Sequence, residues 1–284
     1  MTLGPLDLWA MGTRQALIQA GMRRVEVATA AGPQCAFIGG GGPELVLLHG
    51  AGDQAGTWAM VAPDLLKRHA LLIPDLAGHG DSAPKTGPIE TSAIVAGLEA
   101  VLASRSSGHP VTIAGNSLGA WMAMVLADRN PDWFARVVAV NGGPLTQPDS
   151  PVNLLPANRE EARETVAATR DAAAPPLPDL VLDDLVRLAK EGPLARFAST
   201  ASSMAAWTLE EARLRDFAVP VRLIWGTSDR LMPLAYADRL LAALPDARLV
   251  TLDRCGHVPQ QEAPARFLAA LRGIMDETSA GGPA

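Results

Sequence analysis

Cysteine is nearly absent from this chain: the 284 residues hold two, Cys35 and Cys255. Their separation fits neither a metal-ligand spacing nor a disulfide framework, so they read as two reduced thiols. Aromatic residues make up only 4% and include a single tyrosine, Tyr236, with no lysine four residues on. That counts against a reductase of the tyrosine–lysine type. No apolar run approaches the length needed to cross a bilayer. The amino terminus has no basic segment followed by a continuous apolar stretch, so no signal peptide is expected and the cytoplasm is the expected location. Basic clusters are also missing. The formal charge is −6 and no basic run exceeds Met22-Arg23-Arg24, which argues against a nucleic-acid partner. What remains is a globular composition, 48% hydrophobic and 19% charged, long enough for one large α/β domain or a domain with an insertion.

Short apolar runs bounded by turn residues alternate with helix-like segments. Strands are predicted over 24–29 and 34–38, joined by a turn at Ala31-Gly32-Pro33, and then over 44–48, 71–74, 111–114, 136–140, 221–225 and 248–251. Helices are predicted over 58–68, 91–103 and 120–129, and Gly39 to Gly42 reads as a loop. Residues 6–21 read either as an amphipathic helix, with Leu6, Trp9, Leu17 and Ile18 as its apolar members, or as a flexible lead-in. Continuous apolar strands alternating with helices indicate a parallel sheet covered on both faces. The interval between the strands ending near Val140 and starting at Val221 is too long for one crossover. It opens with Pro144, Pro148, Pro151 and Pro156 and continues with helical segments over 157–173, 178–190 and 193–206. It reads as a helical insertion over one end of the sheet. The division expected is a core of 22–144 and 212–277, an insertion of 145–211, a lead-in of 1–21 and a disordered tail of 278–284.

The most informative stretch is Gly115-Asn116-Ser117-Leu118-Gly119, between the 111–114 strand and the helix that follows. A serine flanked by glycines at i−2 and i+2 in a strand–turn–helix is the nucleophile-elbow pattern. A serine hydroxyl needs a base in contact with it. Of the five histidines, His257 lies just past the last strand, in Asp253-Arg254-Cys255-Gly256-His257, where a loop at the carboxyl end of the sheet can lean over the elbow. The histidine needs an acceptor to hold its tautomer. Asp229, in the loop after the preceding strand, is the choice; Asp246 precedes its strand and Asp253 is too close in the chain. The order Ser117, Asp229, His257 is that of elbow-bearing hydrolases. Attack on a carbonyl makes an oxyanion, and losing one donor to it costs about 2.7–4 kcal/mol. Leu118 N–H at the helix start is one candidate donor and Ala51 N–H, in His49-Gly50-Ala51-Gly52, is the other. His49 is expected to shape that loop.

With HGAG at 49–52, PDLAGHGDS at 74–82, GNSLG at 115–119, WGTSDRLMP at 225–233 and CGHVP at 255–259, the chain resembles the α/β-hydrolase fold superfamily. The resemblance implies an eight-stranded, mostly parallel doubly wound sheet, a helical cap inserted after strand 6, and no cofactor. It gives Ser117 as nucleophile, His257 as base, Asp229 as its partner and the N–H groups of Ala51 and Leu118 as the oxyanion hole, and it assigns His79 and Asp75 to a structural turn. Halide displacement and epoxide opening of the usual kind need a carboxylate at 117. Serine makes acyl-enzymes, so a small-molecule ester with a small to medium acyl or aryl group is the expected substrate. Carbon–carbon cleavage of vinylogous diketones is the alternative, since those enzymes carry a GNS elbow. Their glycine-rich loop usually continues with Pro-Gly, where this chain has Asp53-Gln54.

Two further readings compete. The loop Gly50 to Gly56, with Asp75 closing the next strand, could be a dinucleotide site of lengthened glycine spacing; His49 at the strand end and the two strands before it count against that. A ligand-binding member of the same superfamily without chemistry is the other. Nothing in the sequence specifies an oligomeric state.

Overall fold

The computed structural model describes residues 3–104, 108–146 and 152–277. Pro148, Pro151 and the tail of 278–284 lie outside these.

Eight strands form one sheet: β1 (Arg23–Val27), β2 (Gln34–Gly40), β3 (Glu44–Leu48), β4 (Ala70–Pro74), β5 (Val111–Asn116), β6 (Phe134–Val140), β7 (Val221–Gly226) and β8 (Ala247–Leu252). Their spatial order is β1-β2-β4-β3-β5-β6-β7-β8. β1 and β2 are antiparallel, β2 runs antiparallel to β4, and every pairing from β4 to β8 is parallel. This is the eight-stranded, mostly parallel, doubly wound sheet that the sequence predicts.

Period-two alternation sends successive side chains of each central strand to opposite faces. Val46 and Leu48 of β3, Ile113 of β5, Val137 and Ala139 of β6 and Leu223 and Trp225 of β7 pack on one face. Ile94, Leu98 and Val101 of the helix Thr91–Ala103, Met122 and Leu126 of Leu118–Arg129, and Leu240 of Leu234–Ala243 close that side. Leu45, Leu47, Ala114, Val138, Val140 and Ile224 point the other way, onto Leu17, Trp58, Leu65 and the buried face of Pro264–Met275. Because both faces are buried, the strands carry nearly continuous apolar runs.

Local chemistry moved several boundaries. The predicted 58–68 helix is instead a 3-10 turn, Ala55–Trp58, and a single α turn, Ala62–Leu65. Pro63 suits the start of a helix but not its interior, where it removes a donor and clashes with the preceding turn. The predicted 193–206 helix breaks into Pro193–Ala198 and Ala201–Met204. Between them Thr200 leaves helical geometry, and its hydroxyl donates to Phe197 O and Ile89 O. Gly39 and Gly40 belong to β2, paired with Leu71 and Ala70, rather than to a loop. The other insertion helices are Arg159–Thr169 and Asp179–Glu191. The amino-terminal segment is a helix, Pro5–Gln19, which resolves the two readings of it. Leu17 is buried, but Trp9 and Ile18 turn to solvent, so they are not on the packed face with it.

Trp58 and Phe267 are both fully buried with ring centroids 5.9 Å apart, joining the 3-10 turn to the carboxyl-terminal helix. Phe267→Ala is expected to lower stability by about 3–5 kcal/mol, read by urea unfolding; a loss below 1 kcal/mol would show that this contact adds little.

Candidate active site

β5 ends at Asn116 and the next helix starts at Leu118, so Ser117 makes the whole turn, at φ 56° and ψ −118°. Such backbone in a non-glycine residue is strained, of order 1–3 kcal/mol. The surroundings enforce it. A Cβ on Gly115 would lie 2.2 Å from the backbone of Gly119, and one on Gly119 would lie 2.4 Å from Leu48 O. Only glycine at both places lets helix and strand approach this closely. Ser117 N donates to Val140 O at 2.9 Å, fixing the turn to the neighbouring strand. Leu118 is the first residue of the helix, where a backbone N–H has no intrahelical acceptor. The loop after β3 abuts the elbow: a Cβ on Gly50 would lie 3.3 Å from Ser117 Cβ. Gly50 thus lies against the turn, with Ala51 the next residue in the chain.

His49 shapes that loop. Its Nε2 accepts from Leu76 N at 2.9 Å, so the proton sits on Nδ1, which donates to Gly50 O at 2.8 Å. Burial pushes His49 down to about 4 and His79 to about 3. Both are neutral at physiological pH, and each is engaged with nearby backbone. Asp75 accepts from Ala55 N at 2.7 Å and Asp81 N at 2.8 Å, the bonds of a structural turn. Its carboxylate is thereby occupied, and the glycine loop leads into a 3-10 turn rather than a long helix, which removes the dinucleotide reading.

At the far side of the sheet's carboxyl edge, His257 Nδ1 donates to Asp229 Oδ2 at 2.7 Å. The other oxygen, Asp229 Oδ1, accepts from Leu231 N at 2.9 Å and Met232 N at 3.0 Å. The carboxylate is thus aimed by two backbone donors, and among the described residues no hydrogen bond joins the His257 ring to the Ser117 hydroxyl. The competing acids are placed elsewhere: Asp246 pairs with Arg222 at 3.0 Å near the amino end of β7, and Asp253 takes a 3.3 Å bond from Thr227 Oγ1.

Among the described residues the His257 ring is hydrogen-bonded to Asp229, and the residue meets the elbow through its main chain. Asn116 Nδ2 donates to His257 O at 2.8 Å. Asn141, fully buried at the end of β6 with φ 45°, donates to Gly256 O at 2.7 Å and accepts from Gly226 N at 2.9 Å. Two carboxamides therefore span the elbow strand, β6, β7 and the histidine loop. The sequence reading missed Asn141, although Asn followed by Gly142-Gly143 at a strand end signals left-handed backbone. It also missed a clasp from the insertion. Ala168 O accepts from Arg230 N at 2.9 Å and Thr169 O from His257 N at 2.7 Å. Glu262 accepts from Gly256 N at 3.0 Å and Asp171 N at 2.8 Å.

The chain as a whole resembles known proteins. A model described as the alpha/beta hydrolase family matches residues 45–270. The chain belongs to the alpha/beta hydrolase family. Among its relatives, a pimeloyl-[acyl-carrier protein] methyl ester esterase of Aromatoleum aromaticum is 34% identical over 239 residues, 76% of this chain and 92% of the relative. A 2-hydroxy-6-oxononadienedioate/2-hydroxy-6-oxononatrienedioate hydrolase of Cupriavidus pinatubonensis is 28% identical over 251 residues, 82% of this chain and 86% of the relative. The naproxen esterase of Bacillus subtilis shares the fold at a TM-score of 0.78, with 17% identity across 97% of this chain and 100% of that one.

Elsewhere in this alpha/beta hydrolase, a groove of about 990 Å³ lies at the opposite edge of the sheet, lined by residues such as Glu44, Ala70, Pro110 and Arg136. It is remote from the elbow. Among the described residues no group of three or more His, Cys, Asp or Glu is placed to hold a metal, and no helix is long and apolar enough to cross a membrane. Cys35 and Cys255 are free and buried, and burial pushes the thiols up to about 11 and 12.

The folded state holds His49 near 4, whereas the unfolded chain protonates it below about 6.5. Its neutral ring therefore stabilises the fold less and less as pH falls from 6.5 towards 4. Asp53 acts oppositely: burial holds it up at about 6, so the native state takes that proton first. The stability cost of His49→Gln is accordingly expected to shrink by about 3 kcal/mol between pH 7 and pH 4. Urea unfolding at both values checks this; a cost that does not change with pH would show that His49 titrates normally.

Proposed function

We propose that this alpha/beta hydrolase cleaves carboxylic esters of small to medium acyl or aryl groups by a two-step acyl transfer. The observation that carries this reading is the His257–Asp229 bond of 2.7 Å, bracketed by buried carboxamides that reach the elbow holding Ser117. Ser117 attacks the carbonyl while His257 Nε2 takes its proton, and Asp229 holds the imidazolium that results. The oxyanion rests on the N–H groups of Ala51 and Leu118. The imidazolium then protonates the leaving alcohol, and water activated by His257 releases the acid. Residues 145–211 form the cap over this chemistry, with 22–144 and 212–277 as the catalytic core. No cofactor enters any step. The reaction suits a cytoplasmic enzyme acting on a small-molecule ester.

Support for an ester comes from the nucleophile: serine forms an acyl-enzyme that water can hydrolyse. The Aromatoleum relative, an ester hydrolase by name, agrees with it. The Cupriavidus relative and Asn116 favour a second reading, hydrolysis of a carbon–carbon bond in a vinylogous diketone. Asp53-Gln54 in the loop after β3 counts against that one.

Ser117→Ala is expected to keep the native melting temperature, lose turnover of p-nitrophenyl esters from acetate to palmitate, and lose labelling by a serine-directed phosphonate. Near-native turnover in this variant would reject the mechanism. Asp229→Asn should reduce kcat by about 10³–10⁴-fold, because the amide favours the wrong histidine tautomer. A drop below tenfold in steady-state kinetics would remove Asp229 from the reacting set.

A further inference from the structure

The helix Pro5–Gln19 carries its polarity inside out. Leu8, Trp9, Met11 and Ile18 are 57%, 54%, 51% and 44% exposed. Its other exposed positions, Gly12, Gln15 and Gln19, are uncharged. Both charges of the helix point along the body of the protein: Asp7 pairs with Arg187 at 2.5 Å and Arg14 with Asp81 at 3.6 Å. Two bonds pin the helix in place. Leu6 N donates to Asp184 Oδ2 at 2.8 Å on the insertion helix, and Gln54 Nε2 donates to Thr13 Oγ1 at 3.1 Å from the loop after β3. Two exposed apolar side chains lie on the elements that the helix touches. Leu180, one turn before Asp184, is 67% exposed, and Met60, just past the Ala55–Trp58 turn that the helix contacts, is 51% exposed.

We propose that this face docks onto the surface of an uncharged phospholipid layer. A second copy of the chain is the obvious competitor, and area weighs against it. A helix of 15 residues is about 22 Å long and about 10 Å wide, a few hundred Å² of face. Stable pairing of two proteins buries about 800 Å² on each. A lipid layer needs no matching shape, and each apolar side chain that enters the headgroup boundary adds its own transfer free energy. Charge selects among lipids. With no lysine or arginine among the exposed residues of this helix and a net charge of −6, an anionic surface is repelled and a zwitterionic one is not. Because the helix braces both the insertion and the loop after β3, lipid bound there lies beside the edge of the sheet that holds Ser117. Binding at this face does not depend on the ester-hydrolase reading, so the two are measured separately.

The test is flotation of the full chain with dioleoylphosphatidylcholine vesicles. The native protein is expected to float with lipid. Leu8→Asp combined with Met11→Asp should weaken partition about tenfold or more, with the turnover of a water-dissolved p-nitrophenyl ester unchanged. Trp9→Gln provides an independent variant should the double substitution lower the melting temperature. Native protein left in the lipid-free fraction, equal flotation of the variants, or flotation with phosphatidylserine vesicles alone would overturn the proposal. So would a dimer in light scattering that the double variant converts to monomer, which would assign the face to a second copy.

Discussion

The separation between the elbow and the histidine loop is set by two buried carboxamides, Asn116 and Asn141. Each has one face on the parallel strands and the other on the backbone of residues 256–257. A buried amide left unpaired costs about 1–3 kcal/mol, so both loops must stay at one distance for both side chains to be satisfied. The Asp229–His257 pair sits inside that frame. Its geometry is inherited from strand ends: β5 supplies Asn116, β6 supplies Asn141 and β7 leads to Asp229. Parallel strands bring these ends to one edge of the sheet, which is why Asn116 and Asp229, far apart in the chain, both reach His257.

The elbow is the second constraint. Gly115 and Gly119 each lie against backbone at a distance no Cβ tolerates, and the strained conformation falls on the one residue between them whose side chain must project. Strain there is held by the packing of a whole helix against β3 and β6.

Most of the sheet was legible because burial on both faces gives β3, β5, β6 and β7 uninterrupted apolar runs, and the elbow because glycine spacing encodes a close approach. Asp229 could be separated from Asp246 by which end of its strand each occupies. What the sequence hid depends on distant partners. Trp9 and Ile18 match the pattern of a packed helix, yet Leu17 and Thr13 take the buried side, since Thr13 meets Gln54 and leaves those two outward. The break at Thr200 depends on Ile89 O, 111 residues away. The roles of Thr169 and Glu262 are carried by a main-chain carbonyl and by a carboxylate that bonds two amides, and neither leaves a mark in residue type.

The clasp at residues 168–171 divides the insertion mechanically. Ala168 O and Thr169 O hold Arg230 and His257, while Asp171 is tied through Glu262 to Gly256 and accepts from Ser228 Oγ at 2.6 Å. Lifting this segment would break the bonds to Arg230 N and His257 N. The helices that follow are tied to the rest of the fold as well: Asp184 Oδ2 accepts from Leu6 N at 2.8 Å, Arg196 Nε donates to Gly87 O at 2.7 Å and Thr200 Oγ1 to Ile89 O at 2.8 Å. The insertion is therefore moored at its base and at its far end, and moving either part means breaking several hydrogen bonds together.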